Sequence, residues 1–172
     1  MPWQMTDQYK RMAQAIAVPL ATGEDIYLKE NFRPLMESGA LAVVHPDILS
    51  SGGIYETKKI GDLAQDYGVA MALHMAESPI AAMACAHVCA ATENFLALEF
   101  HSVDVPWWDD LVKAPSKPLI KDGHIELTEA PGLGIDDLDD EVIRAHIAAT
   151  QKDIWLPTDQ WDNEYSSDRT WS

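Results

Sequence analysis

The sequence predicts an α/β fold built on a parallel sheet, and three observations carry that expectation. Short, near-continuous apolar runs alternate with segments of helical pattern, and an ionisable residue closes each run at a regular interval. Strands that are apolar on both sides belong to parallel sheets whose two faces are covered.

The elements follow in order along the first half. Thr6 to Ala15 has a helical pattern with Thr6 as its N-cap. Val18 to Thr22 is a short apolar run closed by Gly23-Glu24, and Leu28 to Glu37 is helical with Gly39 as its stop. Leu41 to Val44 forms a second strand, ended by His45-Pro46-Asp47. Ile60, Leu63, Ala64 and Tyr67 share one face of a helix over Tyr55 to Tyr67, stopped by Gly68. Val69 to Leu73 is a third strand ended by His74. Pro79 opens an alanine-rich helix to about Thr92. Phe95 to Leu98 is a fourth strand, ended by Glu99.

Glu24 to Asp47 is 23 residues, Asp47 to His74 is 27, and His74 to Glu99 is 25. Each strand therefore delivers one ionisable side chain at its C-terminal end. Active sites lie at that end in a (β/α)8 barrel and in an open doubly wound sheet alike. Four such units make half a barrel, and a whole barrel takes roughly 250 residues, more than the 172 present.

From Ser102 onward the pattern changes. Trp107-Trp108, Pro106, Pro115 and Pro118 break regular structure, and Gly123 marks a hairpin around Lys121 to Leu127. Pro131 to Gly134 is a loop. The acidic block Asp136 to Glu141 runs into Val142 to Ile147, where acidic residues suit the start of a helix. Trp155, Trp161 and Trp171 stand among polar residues in a tail expected to pack against something.

Composition narrows the partners. With 12 Lys plus Arg against 28 Asp plus Glu, the net charge is −16, which argues against nucleic acid and anionic membranes. An anionic small substrate stays open, because a bound cation reverses the local field. Two cysteines make no disulfide scaffold and suit a reducing compartment. The polar N-terminus lacks the apolar stretch of a signal peptide, and no run is long enough to span a bilayer. The expectation is a cytoplasmic chain.

A histidine oriented by a carboxylate makes a general base near neutral pH, and a further carboxylate could bind a hard cation. Taken alone, the strand-end residues fit equally well as loop residues that cap the next helix or pair with a neighbour. The ordered set of motifs adds to this: Pro19 to Glu24, His45-Pro46-Asp47-Ile48 with Gly52-Gly53-Ile54, Ala72-Leu73-His74, and Pro131 to Gly134. Over roughly residues 4 to 135 the chain resembles the enolase superfamily, in its mandelate racemase and muconate lactonizing enzyme subgroup, which includes acid-sugar dehydratases such as galactonate dehydratase. The resemblance implies the C-terminal half of a (β/α)8 barrel over residues 1–112, about four βα units. Residues 113–172 form an irregular extension that would pack on the barrel or a capping domain.

It further implies a Mg2+-dependent sugar-acid dehydratase, a hydro-lyase that removes the proton α to a carboxylate. The enediolate then loses water to give a 2-keto-3-deoxy acid. His74 stands where the family has its base and Asp47 where a carboxylate orients it. Glu99 stands where a carboxylate meets the substrate's carboxylate or enediolate oxygen, and Glu24 where the family has its third metal ligand. The other Mg2+ ligands are expected upstream of this chain, which looks truncated, and activity of the isolated chain is expected to depend on restoring them. The alternatives are a racemase or cycloisomerase of the same superfamily, or a non-catalytic half-barrel that buries its open edges by self-association. A small sugar-acid substrate and a homo-oligomer are the expected partners.

Other residues carry weaker signals. His45 shares a strand face with Asp47 one layer lower, as a packed histidine or as support for the site. His101 stands in the same relation to Glu99, and a loop histidine is preferred there over contact with substrate hydroxyls. Glu77 and Ser78 could shape the pocket, and Ser78 also suits an N-cap. Cys85 and Cys89 share a helix face without His87, which favours core packing over zinc.

Overall fold

The computed structural model describes residues 1–156. Four βα-type repeats form the first part: α1 (Thr6–Ala15), β1 (Ala21–Thr22), α2 (Lys29–Glu37), β2 (Val43–Val44), α3 (Gly53–Asp66), β3 (Ala70–Leu73), α4 (Pro79–Ala90) and β4 (Phe95–Leu98). The strands make one parallel sheet in the order β1-β2-β3-β4. Consecutive parallel neighbours joined by helices are the parallel sheet that the alternating pattern implied and the half-barrel that the family resemblance implied.

Helices cover one face. Phe32, Leu35, Ile60, Ala64, Ala82, Cys85 and Val88 from α2, α3 and α4 pack on Val44, Met71 and Leu73 to make the core. The other face differs from the expectation of a sheet covered on both sides. Val43, Ala70 and Ala72 are half-buried and Ala97 is exposed, so among the described residues nothing fills the barrel interior. The register explains why such a face reads as apolar: Val43 pairs with Ala70 and Ala72 with Ala97, small residues suited to a barrel axis.

Element boundaries differ from the sequence expectation mainly at strand starts. Leu20 accepts from the amides of Ala42 and Val43, yet Val18 is exposed and outside the ladder. Only Ala21–Thr22 and Val43–Val44 of the first two predicted strands are regular. Helix α1 begins on Thr6 itself, with Met5 at the cap position and no side-chain cap. Ser78 does cap α4, accepting from the Ala81 amide, with Pro79 in the first turn.

After β4, two 3-10 turns at Ser102–Asp104 and Asp109–Leu111 lead into β5 (Val112–Lys113). A hairpin of β6 (Ile120–Lys121) and β7 (His124–Ile125) follows, with Gly123 in its turn. The acidic block holds more than a helix start. Its Asp137–Leu138 is a strand, β8, paired antiparallel with β5. Asp139 then caps α5 (Asp140–His146), accepting from the amides of Glu141 and Val142. Val112 and Leu119 join the core, with Leu127, Leu133 and Leu138 packed against it. In the tail, the exposed Trp155 donates its indole N–H to Asp140, while Trp161 and Trp171 lie outside the described residues. No helix among the described residues is long and apolar enough to cross a membrane.

Candidate active site

The sheet ladder runs past the strands and into the site residues. The His45 amide donates to Thr22, the His74 amide to Pro46 and the Glu99 amide to Leu73, while Asp47 and His74 form an isolated parallel bridge. Side chains two residues apart on a strand point to one face. His45 thus lies one layer below Asp47, and Asp47, His74 and Glu99 make the top layer at the strands' C-terminal ends. Gly23 permits the approach of β1, with φ at +151° and no room for a Cβ, which would lie 2.8 Å from the His45 carbonyl carbon and from Phe32. Glu24 follows immediately.

The structure brings all four strand-end residues together around His74. Its Nδ1 donates to Asp47 Oδ2 at 2.7 Å. Its Nε2 faces Glu24 Oε2 at 3.3 Å and Glu99 Oε2 at 3.8 Å. Asp47 is buried, and its Oδ1 accepts from the amides of Leu49 at 2.7 Å and Ser50 at 3.3 Å. Both carboxylate oxygens are therefore committed, which fixes the imidazole orientation and leaves Nε2 open to take up a proton. The Glu24 side chain is 58% exposed and sits at the mouth.

Electrostatics follow from these contacts. Burial disfavours the charged form of His74. The Asp47 hydrogen bond and charge, aided by Glu99 and Glu24, outweigh burial and raise its pKa above the ordinary value of 6.5. Burial likewise works against ionised Asp47, but hydrogen bonds from Glu77, His74 and the Leu49 and Ser50 amides hold it below the usual carboxylate range. Glu77 goes the other way, because burial and the hydrogen bond with Asp47 favour its protonated form. Two carboxyls in contact share one proton more readily than two charges.

Glu99 is held by two histidines. His45 Nε2 meets its Oε2 at 3.1 Å while His45 Nδ1 bonds the Ala72 carbonyl at 3.0 Å. His101 Nε2 meets its Oε1 at 2.6 Å. Burial opposes ionisation of Glu99, but the His101 bond and the His45 charge prevail and lower its pKa.

Three residues act where the sequence offered little. Glu77 engages Asp47, a link foreshadowed only by its place three residues beyond His74. Asp47, His74 and Glu77 bring their ligand atoms within 4.8 Å of one another. Trp108, which read as a breaker, is buried and donates its indole N–H to the Glu77 carbonyl at 2.7 Å, pinning the loop behind the site. A buried tryptophan needs an acceptor, but its sequence does not say which one. His45 reaches Glu99 as strand parity allowed. Cys85 and Cys89 are buried in α4, where burial pushes both thiols up, Cys89 to about 12, and removes them as ligands at neutral pH.

A hard cation such as Mg2+ wants oxygen donors in near-octahedral array. The Asp47–His74–Glu77 group fits it poorly, since one donor is nitrogen and Asp47 already bonds two amides and an imidazole. Glu24 has the right chemistry, an exposed carboxylate beside His74, and fits as one ligand of such an ion.

Comparison with known proteins bears on the family and the fold. Residues 1–142 match the family model described as enolase C-terminal domain-like. The chain is 43% identical to a D-xylonate dehydratase from Haloferax volcanii, covering 85% of this chain and 35% of that protein. It is 33% identical to a D-galactonate dehydratase from Klebsiella pneumoniae, covering 81% of this chain and 38% of that protein. A mandelate racemase/muconate lactonizing enzyme-like protein from Rubrobacter xylanophilus superposes with a TM-score of 0.82 at 40% identity, covering 87% of this chain and 38% of the other. The chain thus spans little more than a third of the relatives it matches. With the family model matched over most of its length and an α/β half-barrel of the same kind, this chain belongs to the enolase superfamily, as a C-terminal barrel portion related to mandelate racemase and muconate lactonizing enzyme.

Proposed function

We propose that this chain carries the proton-abstracting part of a sugar-acid dehydratase site. The observation that supports it most is the Asp47–His74 pair, bonded through Nδ1 with Nε2 open beside Glu24. The dehydratase names of its relatives favour water elimination over racemisation or cycloisomerisation. The substrate class is a soluble cytoplasmic aldonate of the xylonate or galactonate type.

In this reading Asp47 holds His74 and stabilises its imidazolium as Nε2 accepts the proton α to the carboxylate. Glu24 would be a ligand of Mg2+, which when bound supplies positive charge against the substrate's carboxylate as the enediolate forms. Glu99, fixed by His45 and His101, presents an ordered carboxylate to the substrate's oxygens. An ionised Glu99 cannot itself donate a hydrogen bond to a carboxylate, so that contact needs a proton on the substrate oxygen or a cation's charge beside it. Asp47, kept anionic by its amide donors, returns His74 to its starting tautomer once the proton leaves.

The test is product analysis by NMR after incubating the chain, joined to a relative's upstream segment that restores the other Mg2+ ligands, with D-xylonate or D-galactonate and Mg2+. A 2-keto-3-deoxy acid is expected. An epimer would assign a racemase, a rearranged isomer would assign a cycloisomerase, and substrate unchanged relative to buffer would overturn the reading.

A second reading has its own observation. Strands β1 and β4 are both open edges, and β4 exposes Leu96 and Phe95 beside an apolar groove of about 570 Å³ bounded by α4 and the β6–β7 hairpin. Unpaired edges invite strand pairing. A two-fold axis along the strands would join β4 of one copy to β1 of another, all parallel, and close eight strands. Sedimentation showing a dimer favours this assembly, and a stable monomer rules it out.

A further inference from the structure

We propose that His101, anchored by Glu99, is the acid that protonates the departing hydroxyl on the carbon next to the one deprotonated by His74. The inference rests on the dehydratase reading above. Removing water from a 2,3-dihydroxy acid moves two protons on adjacent carbons, one off carbon and one onto oxygen. An acid and a base held in place at once make both transfers available within a single bound geometry.

The site contains two histidine–carboxylate pairs of matching design. In the first, His74 gives Nδ1 to Asp47 at 2.7 Å and keeps Nε2 free. In the second, His101 gives Nε2 to Glu99 at 2.6 Å, and its Nδ1 has no hydrogen-bond partner among the described residues. Each carboxylate is itself fixed from behind. Asp47 accepts two backbone amides, and Glu99 meets His45, whose Nδ1 is tied to the Ala72 carbonyl. The two rings lie 6.1 Å apart at 49°. At that separation the two rings can flank adjacent carbons of a bound acid, one ring serving the C–H and the other the hydroxyl. His101 is 58% exposed, so it is reachable from the mouth, and the Glu99 carboxylate lies 2.6 Å from its Nε2. A histidine with only a structural task would have both nitrogens bonded, as His45 does.

The step balances within the substrate and the two rings. His74 Nε2 takes the C2 proton, and the C–H electron pair passes into the carboxylate as an enediolate. That pair returns as a C2–C3 double bond while the C3–O bond breaks, and the leaving oxygen takes the His101 Nδ1 proton and departs as water. The remaining enol gains a proton at C3 from solvent and loses its hydroxyl proton, giving the 2-keto-3-deoxy acid. Solvent carries the surplus proton of His74 to His101.

Two readouts on wild type and His101→Gln, each joined to a relative's upstream segment that restores the other Mg2+ ligands, test this. The exposed position makes the variant safe to fold, and its circular dichroism is compared first. NMR titrations with D-xylonate, D-galactonate and their 3-deoxy counterparts read the contact. Wild type should bind the 3-hydroxy acids several-fold more tightly, and the difference should vanish in the variant. Turnover of the same acids and their 3-fluoro analogues reads the chemistry, since fluoride leaves without a proton. His101→Gln should slow water loss by roughly 10²-fold or more and fluoride loss by less than about 10-fold. Equal losses for both leaving groups, or a 3-hydroxyl preference that survives the substitution, would overturn the assignment and leave His74 to serve both transfers. Wild type that neither binds nor turns over any of these acids would overturn the dehydratase reading and this inference with it.

Discussion

Replacing Asp47 with asparagine isolates the charge of the dyad from its shape. The oxygen of the introduced carboxamide can still accept from the Leu49 and Ser50 amides, which hold Asp47 Oδ1 at 2.7 and 3.3 Å. Its NH2 group would then face His74 Nδ1, where the carboxylate now accepts at 2.7 Å. Two donors cannot share that contact, so His74 must present Nδ1 as an acceptor and carry its proton on Nε2. The nitrogen that should take a proton is thereby blocked. Stability should change with pH in a defined sense. The His74 pKa is raised in the folded chain, so its stabilising share is full below the ordinary value of 6.5 and fades as pH climbs through the folded value. A hydrogen bond to a charged group is worth about 1.5–3 kcal/mol, and a neutral one about 0.5–1.5 kcal/mol. Asp47→Asn should therefore cost the larger amount near pH ~5.5 and the smaller near pH ~8.5. Urea denaturation at both pH values reads the difference, and a penalty independent of pH, or larger at the alkaline value, would refute the reasoning.

The remaining predictions concern packing, loop support and acid titration. Gly61→Ala in the middle of α3 would ordinarily stabilise a helix by about 1 kcal/mol. Here the new Cβ would lie 2.7 Å from Thr92 Cγ2, and Thr92 is buried and bonded to the Val88 carbonyl, so destabilisation by roughly 1–3 kcal/mol is expected by denaturation. A stabilised variant would show that α3 and α4 are not packed so closely. Trp108→Phe removes the indole donor to the Glu77 carbonyl and should cost about 1–3 kcal/mol, with faster amide exchange at residues 75–78. Unchanged protection there would separate Trp108 from the site. Asp47 has a lowered pKa, so its own contribution is present above its ordinary value of 3.8 and is lost as pH falls through the folded value. Acid unfolding of wild type should accordingly have a component absent from Asp47→Asn, and superposable acid limbs would contradict it.

How far the residues could be read in advance depended on how local their partners are. Glu24, Asp47, His74 and Glu99 close four strands at near-equal intervals, and parallel strands in a barrel bring such ends together whatever the helices contain. Ser78 before Pro79 and Asp139 before α5 are caps whose acceptors bond amides two or three residues away, so the sequence alone locates them. The pairing of Asp137–Leu138 with Val112–Lys113 joins segments about 25 residues apart, and nothing in an acidic block announces a strand. The Trp108 contact with Glu77 spans 31 positions in sequence and depends on how the post-barrel turns fold back. The uncovered inner face is hidden in the strand sequences for another reason. Val43, Ala70 and Ala72 are apolar whether or not anything packs on them, so composition could not distinguish a filled barrel from a half-barrel.

The central claim is that His74, oriented by Asp47, removes a proton from the carbon next to a carboxylate. Hydrogen–deuterium exchange at C2 reads that step without requiring the later loss of water. The measurement follows the C2 proton signal of D-xylonate and D-galactonate in D2O with Mg2+, for wild type and His74→Gln, each joined to a relative's upstream segment that restores the other Mg2+ ligands, and for a protein-free control. The account predicts loss of the signal with wild type and the control rate with His74→Gln. Exchange that proceeds equally in the variant, or fails to exceed the control in wild type, would contradict it.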